Sequence, residues 1–218
     1  MLFNSIPFIF GFLPLALGGF WLLGQREAAR LWFLLAASVA FYGYWDWRFV
    51  PLLILSILGN WAAVELYFAY PGRAILAAAI VGNLLCLSIF KYLGFFESIV
   101  QLLGGGEFDI VRLALPLGIS FFTFHHILYL ADLLRGRAPR YALRDYALYI
   151  ALFPQILSGP LVRHSEIIHQ LPLPPGREGW EMRMSRGIAL FIIGLGKNVV
   201  LAEALAAVAN PVFVNAGH

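Results

Sequence analysis

The stretch LPLGISFFTFHHILYLADLLRG, residues 115–136, decides how the rest of this chain is interpreted. It is long enough to cross a bilayer, which takes about 20 residues at a rise of ~1.5 Å each. It nevertheless contains His126 and, on one helix face, His125, Tyr129 and Asp132. Polar and ionisable side chains at membrane depth are costly and usually face a bundle interior or a wet cavity. The stretch therefore predicts an inner helix around which the other helices pack.

The composition indicates a helical membrane protein. Of the 218 residues, 61% are hydrophobic and only 12% are charged, whereas a soluble domain carries about 25% charged residues. The basic residues form no long run interleaved with aromatic side chains, so nothing favours a nucleic-acid partner. Cys86 is the only cysteine, which excludes an intrachain disulfide and a metal cage built from cysteines.

Apolar runs and the breaks between them predict an all-α, polytopic fold with about six to seven membrane-embedded segments. The predicted spans cover residues 6–23, 31–44, 51–70, 74–96, 113–134 and 187–208. Residues 158–186 mix polar and apolar side chains and are rich in proline, which is typical of a re-entrant or interfacial stretch. The whole chain, residues 1–218, is interpreted as a single membrane-embedded domain.

The charges of the loops predict the orientation, because basic residues concentrate in cytoplasmic loops. The fifth span is followed by Arg135, Arg137, Arg140 and Arg144. This loop is therefore predicted to be cytoplasmic, which places residues 97–112 in an outer loop, residues 25–30 in an inner polar loop and the N-terminus outside. Asp132 and Arg135 are three residues apart, so an ion pair between them is expected at the cytoplasmic interface.

The histidines of the inner helix allow three interpretations, one of which is that they line a polar cavity. His125 and His126 could act as acid and base, because histidine titrates near neutrality. They could equally be packing residues that bond Tyr129 or a neighbouring helix. The polar residues Glu65, Asn60 and Asn83 are expected to make hydrogen bonds between helices, although they could also line a pore.

Other combinations of residues are weaker indications of a function. His164, Glu166 and His169 have side chains that bind metals, but their spacing matches no zinc signature, and no metal site is predicted. No Walker motif, dinucleotide fingerprint or nucleophile elbow is present. The residues alone thus leave a transporter, an enzyme and an assembly subunit open.

Six segments occur in the same order as in the membrane-bound O-acyltransferase family. They resemble most closely its bacterial branch, which contains the alginate O-acetyltransferase and the D-alanyl transfer protein of teichoic acid. The segments are MLFNSIPFIFGFLPL (1–15), FYGYWDW (41–47), FKYLGFF (90–96), LPLGISFFTFHHILYLADLLRG (115–136), FPQILSGPLVRHSEII (153–168) and GLGKNVVLAE (194–203). The chain departs from the family at His125-His126, where Gln or Glu and a small polar residue are common, and at Asn198, where a second basic residue is expected.

Length is the larger departure. Members of this branch are roughly twice as long, and their catalytic histidine lies in the C-terminal half beside a Trp-Arg-rich stretch. No residue of this chain matches that histidine, so no catalytic residue is assigned. The resemblance implies the N-terminal half of an acyltransferase, which we expect to be inactive alone.

The resemblance implies transfer of an acyl group, most commonly acetyl, to hydroxyls of an extracellular polysaccharide. The donor, acetyl-CoA or an acyl carrier, is a cytoplasmic substrate, and no bound cofactor is implied. The implied partners are membrane lipids, the C-terminal half and companion acylation or export subunits, in the bacterial inner membrane. Candidates for lining the passage through the bundle are Gln155, Gly159, Pro160, Arg163, His125, His126, Tyr129 and Asp132.

Two other functions remain open. A chain without the catalytic half could be a non-catalytic scaffold that binds a partner acyltransferase or an export subunit. A transporter fragment would be indicated by inverted repeats with broken helices at matching positions, and the sequence shows no such repeat. Arg163 has two interpretations: it could bind an anionic acyl donor, or it could anchor the segment to lipid headgroups.

Overall fold

The computed structural model describes residues 3–102, 116–156, 161–202 and 205–206. At residues 93–102 and 201 it describes the backbone only. The described residues form helices and turns and contain no β-strand. The α-helices are α1 (Leu13–Leu22), α2 (Glu27–Asp46), α3 (Val50–Ala69), α4 (Arg73–Leu102), α5 (Ile119–Leu134), α6 (Leu143–Ala151), α7 (Phe153–Ile156), α8 (His164–Ile167) and α9 (Trp180–Gly196). Helical segments of the π or 3-10 type cover Pro7–Phe12, Trp47–Phe49, Ile168–Gln170 and Lys197–Ala202. The prediction of an all-α fold is confirmed for the part of the chain that is described.

Among the residues that the structure describes, two stretches are long and apolar enough to cross a membrane, Glu27–Ala69 and Arg73–Tyr92. Two shorter apolar helices occupy Pro7–Leu22 and Ile119–Leu134. These helices support a membrane protein, while the number of spans and the outward N-terminus stay predictions.

The chain divides into two compact units, one of Glu27–Pro172 and one of Met1–Arg26 with Leu173–His218. In the first unit, α2 ends at Asp46, which has an extended backbone (φ −155°, ψ 104°), and a 3-10 turn, Trp47–Phe49, connects it to α3. The Asp46 carboxylate accepts a hydrogen bond from the Arg48 backbone N–H (3.0 Å) and pairs with the Arg48 guanidinium (2.7 Å). Pro51 lies in the first turn of α3, where its missing N–H costs nothing. The break therefore has a local cause in the sequence.

Three predicted boundaries are wrong. Helix α2 begins at Glu27, so Arg30 is a buried residue of a helix and not part of a polar loop. Helix α4 continues to Leu102 into the predicted outer loop, because no proline interrupts the helix-forming residues there; residues 103–112 of that loop lie outside the described residues. Helix α9 begins at Trp180, seven residues before the predicted span, because Gly179 (φ 74°) supplies the turn that starts it.

Helix α5 is the enclosed helix of the first unit. Its buried residues include both histidines, Tyr129 and Asp132. Helix α6 lies against it and is buried from Tyr146 to Ala151. The prediction of an inner helix is confirmed, and the reason is the one given by the sequence: its polar face meets protein.

Helix α5 is preceded by a glycine that another residue could replace only with strain. Gly118 has φ 73°, in the left-handed region that L side chains rarely adopt. A Cβ atom there would lie 2.2 Å from the carbonyl oxygen of Ile156 in α7. Gly118 therefore lets the chain turn into α5 while α7 rests against it.

Polar contacts tie distant parts of the first unit together. The buried Arg30 guanidinium donates to the carbonyls of Leu171 (3.2 Å) and Pro172 (2.8 Å). Asn60 and Asn83 exchange amide hydrogen bonds of 3.2 and 2.6 Å between α3 and α4. The predicted interhelical role of these two asparagines is confirmed.

In the second unit, α1 and the start of α9 meet through Trp21 and Trp180, whose ring centroids are 4.9 Å apart. Beside Trp21 is an open groove of about 270 Å³. The groove is lined by Trp21, Gly24, Gln25, Pro174, Pro175, Gly176 and Arg177.

Candidate functional site

Polar and aromatic side chains converge beside the C-terminal half of α5. We call this group the α5 polar cluster. It consists of His125, Tyr129 and Asp132 from α5, Tyr141 from the loop that follows, Tyr149 from α6 and His164 from α8. All lie in the first unit, and Asp132 and His164 are only 3% and 2% exposed.

Asp132, His164 and Tyr141 form a continuous chain of polar contacts. Nε2 of His164 is 3.5 Å from Oδ2 of Asp132, and Nδ1 of His164 is 2.9 Å from the Tyr141 hydroxyl. The predicted Asp132–Arg135 ion pair is wrong, because Asp132 faces the bundle interior whereas Arg135 is exposed at the end of α5. The spacing of three residues makes the pair reachable, but burial selects another partner.

Three tyrosine rings surround the His164 imidazole. The centroid of its ring lies 5.4 Å from that of Tyr129, 5.6 Å from that of Tyr141 and 6.4 Å from that of Tyr149. Two of these tyrosines are themselves tied to backbone carbonyls, Tyr129 to Pro139 (2.9 Å) and Tyr149 to Val162 (3.1 Å). The imidazole is therefore enclosed on several sides by rings that cannot easily move.

Burial sets the protonation states of His164 and Tyr141 in this series of contacts. It lowers the pKa of His164, and the nearby Asp132 carboxylate offsets only part of that effect. Burial also raises the pKa of the Tyr141 phenol. At neutral pH both groups are thus uncharged.

The two histidines of α5 have different surroundings. His126 lies between α3 and α6, with Nδ1 2.5 Å from the Tyr146 hydroxyl and Nε2 3.2 Å from Oγ of Ser56. This arrangement favours the packing interpretation for His126. Neither ring nitrogen of His125 has a hydrogen-bond partner of standard geometry among the described residues, although the Phe121 carbonyl one turn earlier is close enough to interact.

The other predicted passage residues are Gln155, Gly159, Pro160 and Arg163. Gln155 is buried in α7, and its Oε1 has no hydrogen-bond partner within the described ranges. Arg163 is exposed, immediately before α8, and its charge acts on His164. Gly159 and Pro160 lie outside the described residues. The structure therefore brings part of the predicted set together, and the passage itself stays a prediction.

The sequence pattern does not reveal Tyr141, Tyr149 or the role of His164. It groups His164 with Glu166 and His169 as metal-capable side chains, but those two are exposed. Nδ1 of His169 lies 2.7 Å from the Ser165 carbonyl, and at Glu166 the backbone carbonyl accepts a hydrogen bond from the Gln170 side chain. In the part of the chain that is described, no three His, Cys, Asp or Glu side chains converge as metal ligands. The one clue in the sequence is the polar face of α5, which requires polar partners from other segments.

The loop that carries Tyr141 is held on both sides. Arg140 forms an ion pair with Glu65 of α3. The Trp61 indole N–H donates to the Tyr141 carbonyl (3.4 Å). The Arg144 guanidinium is 2.8 Å from Asp145 and 3.6 Å from Glu27. Tyr141 is thus presented from a fixed loop, half-buried, beside basic side chains.

Comparison with known proteins finds similarity to acetyltransferases over nearly all of the chain. It is 33% identical over 93% of its length to the peptidoglycan O-acetyltransferase of Helicobacter pylori, of which it spans 45%. It is 32% identical over 98% of its length to the probable alginate O-acetylase AlgI of Pseudomonas aeruginosa, of which it spans 42%. The corresponding protein of Pseudomonas putida is 34% identical over 98% of the chain. No protein-family model and no solved structure matches.

Proposed function

Because this chain is homologous to the N-terminal part of bacterial O-acetyltransferases, as its resemblance to membrane-bound O-acyltransferases predicted, we propose that it is the N-terminal portion of a membrane O-acyltransferase. The acyl group is acetyl, and the acceptor is a hydroxyl of an extracellular polysaccharide. The observation that carries this proposal is the similarity over 93–98% of the chain to proteins named for polysaccharide O-acetylation.

The chain spans less than half the length of these relatives. The proposal therefore gives it the parts that bind and guide substrates and assigns it no catalytic residue. A general base must come within hydrogen-bond distance of the attacking hydroxyl. In this proposal the base belongs to a C-terminal half, and the α5 polar cluster forms part of the route by which the acyl donor approaches it.

The residue proposed to bind the donor is Arg163. It is exposed before α8 and directly precedes His164 of the α5 polar cluster. A guanidinium offers a fixed fork of donors that suits phosphate oxygens, and phosphate is present in both coenzyme A and phosphopantetheine carriers. Arg163 thus supports binding of a cytoplasmic acyl donor, either acetyl-CoA or an acyl carrier.

The first experiment replaces Arg163 with Ala in the longest form of the protein that its gene encodes. Loss of a charged hydrogen bond costs about 1.5–3 kcal/mol, so polymer O-acetylation is expected to fall by about 10- to 150-fold. Arg186→Ala is the matched control, because Arg186 is an exposed arginine on α9 in the other unit. Normal acetylation by the Arg163 variant at normal protein levels would refute the assignment.

A non-catalytic scaffold that binds a partner acyltransferase is the second candidate. The two functions separate in a bacterium that lacks its polysaccharide O-acetyltransferase. The acyltransferase proposal expects acetylation to return when the protein is supplied together with the missing half. If the protein is a scaffold, acetylation should return only when a complete acyltransferase is also present.

A further inference from the structure

We propose that Asp132 and His164 are positioning residues that hold the Tyr141 hydroxyl as a fixed hydrogen-bond acceptor for the pantetheine arm of the acyl donor. This inference rests on the proposed function, because it names how that donor is recognised. It is carried by the chain of contacts from a buried carboxylate, through a buried imidazole, to a half-buried phenol.

The direction of the hydrogen bonds follows from the carboxylate. An ionised carboxylate only accepts, so the ring nitrogen of His164 that faces Asp132, Nε2, carries the proton. In a neutral imidazole the other nitrogen is then an acceptor. The Tyr141 hydroxyl, 2.9 Å from Nδ1, therefore donates its proton to His164.

This direction decides what Tyr141 can offer a ligand. Its single proton is engaged by His164, which leaves the lone pairs of the phenol oxygen to accept. The rings of Tyr129 and Tyr149 prevent the imidazole from turning away. Tyr141 is half-buried, whereas Asp132 and His164 are almost fully buried, so Tyr141 is where the chain of contacts meets the surroundings.

The surroundings suit a donor that carries phosphate. Arg163 adjoins His164 in sequence and is exposed, and the loop before α6 places Arg135 and Arg137 on the surface. A phosphopantetheine arm combines phosphate with amide N–H groups. The phosphate matches the guanidinium groups, and an amide N–H matches an oxygen that can only accept.

The test measures equilibrium binding to the full-length protein in lipid nanodiscs, with coenzyme A and 4′-phosphopantetheine as the probes. Tyr141→Phe keeps the ring and removes the hydroxyl. It is expected to weaken binding of both probes by about 5- to 10-fold, the effect of one hydrogen bond. Asp132→Asn allows either tautomer of His164 and is expected to weaken binding by about threefold. Tyr67→Phe, another half-buried tyrosine, is the matched control and should bind normally.

The double variant separates positioning from general damage. If Asp132 acts through Tyr141, then Asp132→Asn adds no loss when Tyr141 is already Phe. Additive losses, unchanged binding by Tyr141→Phe or no binding of either probe by the wild type would overturn the inference. Polymer acetylation by the wild type is measured separately. Its absence would refute the proposed function, whereas normal acetylation with probe binding insensitive to Tyr141→Phe would refute only the positioning role.

Discussion

Gly118→Ala is expected to destabilise the first unit strongly, because the substitution strains the backbone and creates a clash at the same position. A non-glycine residue in the left-handed region costs about 1–2 kcal/mol. The new Cβ would also meet the Ile156 carbonyl oxygen at 2.2 Å, so α7 must move by roughly 1 Å, and such overpacking typically costs about 1–3 kcal/mol. The free energy of unfolding should therefore fall by about 2–5 kcal/mol.

The measurement is unfolding of the detergent-solubilised protein by increasing SDS, followed by tryptophan fluorescence. Gly59→Ala and Gly82→Ala are matched controls, because both glycines lie in helices and a Cβ at either would have no neighbour within 4 Å. Those controls should be neutral or up to about 1 kcal/mol more stable. If Gly118→Ala unfolds at the same SDS fraction as the two controls, the close approach of α7 to the start of α5 is not as described.

Two further changes test the polar contacts of the fold with the same unfolding measurement. Arg30→Met strands the carbonyls of Leu171 and Pro172 and should cost about 2–4 kcal/mol, whereas Arg30→Lys should cost less; a Lys variant as stable as the wild type would contradict a role for the second hydrogen bond. Asn60→Leu and Asn83→Leu should each destabilise, and the double variant should show a coupling of about 0.6–1.7 kcal/mol. Zero coupling would contradict the paired amides.

The enclosed position of α5 could be predicted because the residues that indicate it are neighbours in the sequence. A polar face on an otherwise apolar stretch requires protein on that face, and the burial of His125, Tyr129 and Asp132 follows from that requirement. The same reasoning predicts hydrogen bonds from Asn60 and Asn83. In each case the sequence predicts that a polar partner is needed without saying which one.

The partners themselves could not be predicted, because they come from distant segments. Asp132 meets His164 and not the nearer Arg135, since burial outweighs spacing along the helix. Tyr141 reaches His164 across a loop and two short helices whose geometry no periodicity encodes. The sequence predicts Arg30 in a loop because arginine is rarely buried. The groups that accept its hydrogen bonds are backbone carbonyls, which a pattern of side chains cannot reveal.

The position of Arg30 has a consequence for the order of biosynthesis. The carbonyls that accept its hydrogen bonds are 141 and 142 residues further along the chain. At about 5–20 residues per second, synthesis reaches them roughly 10 seconds after Arg30 or later. During that interval the guanidinium needs water or lipid phosphate as its partner, which holds the start of α2 at the membrane surface. The final packing of α2 is therefore a late event, completed only when the segment after α8 has been made.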